Sequence, residues 1–135
     1  MARILLIDDD PVYSDMAKQR LERAGHEVTV HLGPFGATAA AKRPGIDLII
    51  LDVFMPALQG PDLIELIHQT RPRVRAKIMF CSSMDEGPLR DLAFRHDAEG
   101  YISKSAERND FLSAVTAVLQ RPTYRTPGNP GETPS

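Results

Sequence analysis

Short apolar runs and longer amphipathic stretches take turns along this chain. The runs are Arg3 to Ile7, Glu27 to His31, Ile46 to Leu51, Lys77 to Cys81 and Glu99 to Ile102. Leu48-Ile49-Ile50-Leu51 is unbroken, as expected of a strand covered on both faces in a parallel sheet. Between the runs, apolar residues recur every three or four positions. Tyr13, Met16, Ala17, Leu21 and Ala24 form one such set, Leu63, Leu66 and Ile67 another. Leu89, Leu92 and Ala93 form a third, and Phe111, Val115, Val118 and Leu119 a fourth. Each spacing predicts a helix. Asp10 and Pro11 suit the start of the first helix and Gly25 its end. Gly60-Pro61-Asp62 opens the third helix, and Pro88 fits the first turn of the fourth. The alanine-rich stretch from Gly33 to Lys42 predicts only a weak second helix, because Gly33, Pro34 and Gly36 crowd its start. Pro44-Gly45 ends it. Five β-then-α units predict a parallel sheet with helices on both faces.

Composition narrows the function. A chain of 135 residues suits one domain with a sizeable core. The net charge of -2 and the lack of a basic run do not indicate a nucleic-acid surface. No apolar run is long enough to span a bilayer, and the first residues turn acidic too soon for a signal peptide. A cytoplasmic location is the default. The single cysteine, Cys81, excludes an intramolecular disulfide and lies in an apolar run, as a buried thiol would. Neither G-x-G-x-x-G nor G-x-x-x-x-G-K-[ST] follows the first strand, so dinucleotide and P-loop sites are disfavoured. His26, His31, His68 and His96 are scattered without ligand spacing. From Pro122 on, four prolines and two glycines fall within fourteen residues. That reads as a disordered tail over 122–135, or as a linker towards another domain. No helix-turn-helix or catalytic output domain is visible after residue 120.

The candidate chemistry lies at strand ends. Asp8 and Asp9 leave the first strand, and Asp52 leaves the third. Ser82 ends the fourth, and Lys104 follows the fifth. Open α/β sheets bind ligands beyond the carboxyl ends of their strands, where strand order reverses. Carboxylates gathered there repel one another, and Mg²⁺ relieves that repulsion through a few oxygens while keeping waters. Mg²⁺, the Ser82 hydroxyl and Lys104 can each hold one oxygen of a phosphoryl group attached to Asp52. Taken singly, Asp52 is a turn residue, Asp8-Asp9-Asp10 a helix cap, Ser82 a strand-end cap and Lys104 a surface lysine. Those separate roles do not explain one polar group at each of four strand ends.

At these residues the chain resembles the receiver domains of two-component response regulators, over about residues 3 to 120. Ile4-Leu5-Leu6-Ile7-Asp8-Asp9-Asp10-Pro11 is similar to the acidic opening of that family. Leu51-Asp52-Val53-Phe54-Met55-Pro56, with Gly60, is similar to its phosphoacceptor motif. Ser82 thirty positions on, and Lys104 twenty-two further, keep the family's intervals. The resemblance implies a three-layer flavodoxin-like (βα)5 fold with strand order 2-1-3-4-5 and a receiver spanning residues 1–121. It implies that Asp52 takes phosphoryl from a phosphohistidine on a histidine kinase or phosphotransfer protein. Asp9, Asp52 and the Phe54 carbonyl would bind Mg²⁺, with Asp8 supporting it through water. Ser82 would be the switch hydroxyl, Lys104 the partner of the phosphoryl oxygens, and Tyr101 the aromatic switch. Tyr101 is equally read as an amphipathic ring at the strand rim. The output would pass through the fourth predicted helix, the fifth strand and the last helix to a downstream protein. A second copy of the chain is a further candidate partner. The implied role is a signalling phosphoacceptor rather than a conventional enzyme.

Two positions depart from the family pattern. Ser105 follows Lys104 where the family usually has proline after a cis peptide bond. A cis bond without proline costs roughly 2.5–4 kcal/mol, so either the pocket supports that strain or the bond is trans. Phe54 and Met84, two positions beyond Asp52 and Ser82, are bulky where the family tunes hydrolysis, which predicts a long-lived phosphorylated state unless both side chains turn outward. Two other readings compete. One is a phosphorylation-independent interaction module on the same fold. The other is an aspartyl-nucleophile phosphatase, disfavoured because Phe54 stands where its second aspartate belongs.

Overall fold

The computed structural model describes residues 1–55, 62, 65 and 76–122. Strands β1 (Arg3–Asp8), β2 (Glu27–Leu32), β3 (Leu48–Asp52), β4 (Lys77–Ser82) and β5 (Gly100–Ser103) form one sheet in the order β2-β1-β3-β4-β5. All four pairings are parallel. The predicted order is therefore the observed one. The described helices are α1 (Pro11–Arg23), α2 (Ala37–Ala41), α3 (Glu86–Arg95) and α4 (Arg108–Gln120). The fourth predicted helix is thus α3, and the last is α4. The helix predicted from Gly60 lies outside the described residues except for Asp62 and Glu65, which are helical. The tail lies outside them from residue 123.

Local chemistry accounts for the boundaries. The Asp10 side chain accepts hydrogen bonds from the amides of Val12 (3.0 Å) and Tyr13 (3.2 Å), with Pro11 opening α1. Gly36, with φ of 79°, immediately precedes α2. Gly33 to Gly36 stay in the turn and Lys42 caps the helix, so α2 has five residues rather than the ten predicted.

The period-two alternation of the strands sorts the core into two layers. Leu5, Ile7, Ile49, Leu51, Ile78 and Phe80 pack with residues of α2 and α3. Ile4, Leu6, Leu48, Ile50, Met79 and Cys81 pack with residues of α1 and α4. β3 and β4 are buried throughout. At the amino end of the sheet, the Lys77 ammonium donates to the carbonyls of Leu119 (2.8 Å) and Arg121, capping the end of α4. Among the described residues no helix is long and apolar enough to cross a membrane.

Candidate functional site

The same alternation aims the chemistry. Asp8 shares the parity of Ile4 and Leu6, Asp52 that of Leu48 and Ile50, and Cys81 that of Met79. All three belong to the α1 and α4 layer. β1 and β3 are neighbours, so their carboxyl ends deliver Asp8 and Asp52 side by side. Asp9 follows at once on the exposed side. One carboxylate oxygen from each of Asp8, Asp9 and Asp52 lies within 4.8 Å of the other two. This spacing suits oxygens converging on one divalent cation.

Asp52 is only 2% exposed. Its Oδ1 accepts a hydrogen bond from the Phe54 amide at 3.1 Å, while Oδ2 is buried without a hydrogen-bond partner. Asp8 is fully buried, and its Oδ1 accepts from the Asp10 amide (2.9 Å) and from Lys104 Nζ (3.2 Å). Asp8 Oδ2 is 3.0 Å from Nζ, an ion contact rather than a directed hydrogen bond. Lys104 Nζ also lies 3.6 Å from Asp52 Oδ2. One ammonium thus serves two buried carboxylates.

The electrostatics follow from that shortage. Burial first, and the Asp8 charge second, push the Asp52 carboxyl up to about 7. The Phe54 amide and Lys104 pull the other way and are outweighed. Burial works against the charge on Lys104, but its hydrogen bond to Asp8 and the charges of Asp8 and Asp52 hold its pKa above the ordinary value. A buried carboxylate oxygen without a hydrogen-bond partner, beside two further acids, is part of a donor set short of positive charge, and it fits a hard cation.

Lys104 reaches the acids without a cis bond: among the described residues every peptide is trans. The Lys104 amide donates to the Ser82 carbonyl at 2.7 Å, tying the residue to the end of β4. Ser82 is buried one step beyond Cys81, the β4 residue paired with Asp52. Its hydroxyl accepts from the Met84 amide at 3.0 Å. Tyr101 and Phe80 are paired in β5 and β4. Tyr101 is half-buried against the α2 and α3 layer, as is Met84. Phe54 meets the site through its backbone, and its side chain is 47% exposed.

Tyr13 was placed by sequence only on the inner stripe of the first helix. Its ring lies beneath Lys104, with Nζ 4.9 Å from the centroid. Its hydroxyl and the Cys81 sulfur are 3.3 Å apart. Burial pushes the Cys81 thiol up to about 12 and raises the Tyr13 phenol well above its ordinary value, so both stay neutral. The sequence signal was its position, one turn after the Asp10 cap and so beside the strand end that carries Asp8.

A family model described as "Response regulator receiver domain" matches residues 4–116. The chain is 30% identical over 135 residues to the transcriptional regulatory protein MctR of Rhizobium johnstonii, covering 93% of this chain and 59% of that protein. It spans little more than half the length of the first curated relatives it matches. Among solved structures, a CheY-like response regulator receiver domain protein from Methanospirillum hungatei superposes with a TM-score of 0.77 at 27% identity, covering 88% of this chain and 94% of that one. The response regulator TrrA from Thermotoga maritima, solved in complex with Mg(2+)-BeF, gives 0.75 at 26% identity, covering 87% and 99%. With its sheet order, its cluster of acids and these likenesses all in agreement, the chain belongs to the response regulator receiver domain family.

Proposed function

We propose that this chain is a phosphoacceptor of a two-component system, built as a receiver over residues 1–121 with a tail over 122–135. The observation that carries the reading is the cluster of Asp8, Asp9 and Asp52 oxygens with a single ammonium 3.0–3.6 Å from two of them. Asp9, Asp52 and the Phe54 carbonyl would hold Mg²⁺ and Asp8 would support it through water, the ion neutralising charge on the carboxylates and on incoming phosphoryl oxygens.

The chain's residues do the rest. An Asp52 carboxylate oxygen forms a bond to phosphorus while the P–N bond of a phosphohistidine donor breaks. The donor nitrogen keeps the electron pair and takes up a proton. Lys104, already beside Asp52, holds one phosphoryl oxygen from the start, and Ser82 takes another once the group is attached. For this Ser82 moves towards the phosphoryl group, Tyr101 fills the space it leaves, and the surface of α3, β5 and α4 changes for a downstream protein or a second copy of the chain.

The donor is a histidine kinase or phosphotransfer protein in the cytoplasm. Val12, Leu32, Phe35 and Phe54 expose apolar side chains around the carboxyl rim of the sheet, which suits a protein donor better than a nucleic acid. The test is incubation with acetyl phosphate and Mg²⁺, read by intact mass. Wild type gains one phosphoryl group and Asp52→Asn gains none. A wild type that gains nothing from acetyl phosphate or from a kinase would leave the phosphorylation-independent interaction module in its place.

A further inference from the structure

We propose that Tyr13 is a positioning residue for Lys104, holding its ammonium between Asp8 and Asp52 by the face of its ring; this rests on the phosphoacceptor reading above. Lysine is a compact charge on a flexible four-carbon stem, and three side-chain contacts could aim it here. Two are the carboxylates of Asp8 and Asp52. Either acid alone would draw Nζ to itself, and the closer contact with Asp8 shows the direction of that pull. The third contact is the Tyr13 ring, 4.9 Å from Nζ, within the distance at which a cation is attracted to an aromatic face.

The ring is itself fixed. Tyr13 lies in the first turn of α1, whose start is capped by Asp10, two residues after Asp8. Its hydroxyl is 3.3 Å from Cys81 Sγ, and Cys81 is the β4 partner of Asp52. The ring is therefore tied to three of the four strands that supply the site: it follows β1, its hydroxyl meets β4, and its face meets the lysine that leaves β5. The backbone of Lys104 is held to the Ser82 carbonyl. The stem is thus anchored at its root, and the ring guides its tip.

The contribution is read in Lys104, not in fold stability. A desolvated cation–π contact of about 1–2 kcal/mol corresponds to about a fivefold to thirtyfold change in rate if it is realised in the transition state. Tyr13→Phe keeps the ring and loses the bond to Cys81. Tyr13→Met keeps bulk and loses the ring, with Tyr13→Leu as the alternative if that variant does not fold.

Two measurements on the full chain decide the matter. In wild type and Tyr13→Phe, NMR should find the Lys104 ε-methylene protons shifted upfield by the ring current, and the shift should vanish in Tyr13→Met. Acetyl phosphate labelling with Mg²⁺ should be about as fast in Tyr13→Phe as in wild type and several-fold slower in Tyr13→Met. It should slow no further when Tyr13→Met is added to Lys104→Ala. Unshifted Lys104 protons in wild type would overturn the inference without any variant. Equal slowing by Tyr13→Met with and without Lys104 would overturn the positioning role alone, leaving Asp52 as acceptor. An unlabelled wild type would instead overturn the phosphoacceptor reading, and the positioning role with it.

Discussion

Replacing Asp52 with asparagine should stabilise this protein, although it would abolish the proposed chemistry. The Asp52 carboxylate is buried, one of its oxygens has no hydrogen-bond partner, and the one nearby ammonium lies closer to Asp8. Its pKa rises from 3.8 to about 7 in the folded chain. A carboxyl raised on folding binds its proton more tightly in the folded than in the unfolded state. Its contribution is therefore fully present below about pH 4 and is lost as pH rises to about 7. At 1.36 kcal/mol per unit, a rise of about three units sets a ceiling of about 4 kcal/mol. Local relaxation and water entry reduce this, so a gain of about 1–3 kcal/mol is expected for Asp52→Asn at pH 8. The assay is urea unfolding of both proteins in chelator at pH 8, 6 and 4. The advantage of Asp52→Asn should shrink with falling pH and vanish near pH 4. Excess Mg²⁺ at pH 8 should stabilise wild type selectively and narrow the gap. Equal or lower stability of Asp52→Asn at pH 8 in chelator would refute the reasoning.

Three further outcomes are expected. Lys104→Ala removes the cation between Asp8 and Asp52, and acetyl phosphate labelling at pH 7 should slow tenfold or more, about 1.4 kcal/mol in the barrier. Phe54→Asn opens the rim to water, so the phosphoryl group on Asp52 should be lost faster than from wild type in a decay measurement; equal decay would mean that the exposed ring leaves the water path clear. Gly100→Ala would set a Cβ 2.5 Å from Val118 Cγ2 on α4, and urea unfolding should show a loss of about 1–3 kcal/mol from overpacking.

The strands and most helices could be read from residue pattern because burial dictates it. An unbroken Leu48-Ile49-Ile50-Leu51 is intelligible only between two layers, and both layers are there. Parity then carries Asp8 and Asp52 to one face, so their meeting was implicit once β1 and β3 were neighbours. What pattern could not show was decided by contacts between elements. Gly33, Pro34 and Gly36 fall within the stretch predicted as a weak helix, and the left-handed turn at Gly36 confines α2 to Ala37–Ala41. Ser105 left the path of Lys104 open, and the structure resolves it with a trans peptide and a ring beneath the ammonium. Tyr13 and Cys81 are 68 positions apart, and only tertiary packing brings the hydroxyl to the sulfur.

The most direct measurement is to trap the acyl phosphate where it forms. After incubation with phosphodonor and Mg²⁺, reduction with labelled borohydride and peptide mapping should place the label on Asp52 alone, and chelator present during the incubation should prevent it. Label on another residue, or label on Asp52 that is indifferent to chelation, would contradict a site in which crowded acids and one ammonium prepare a single carboxylate for phosphoryl transfer.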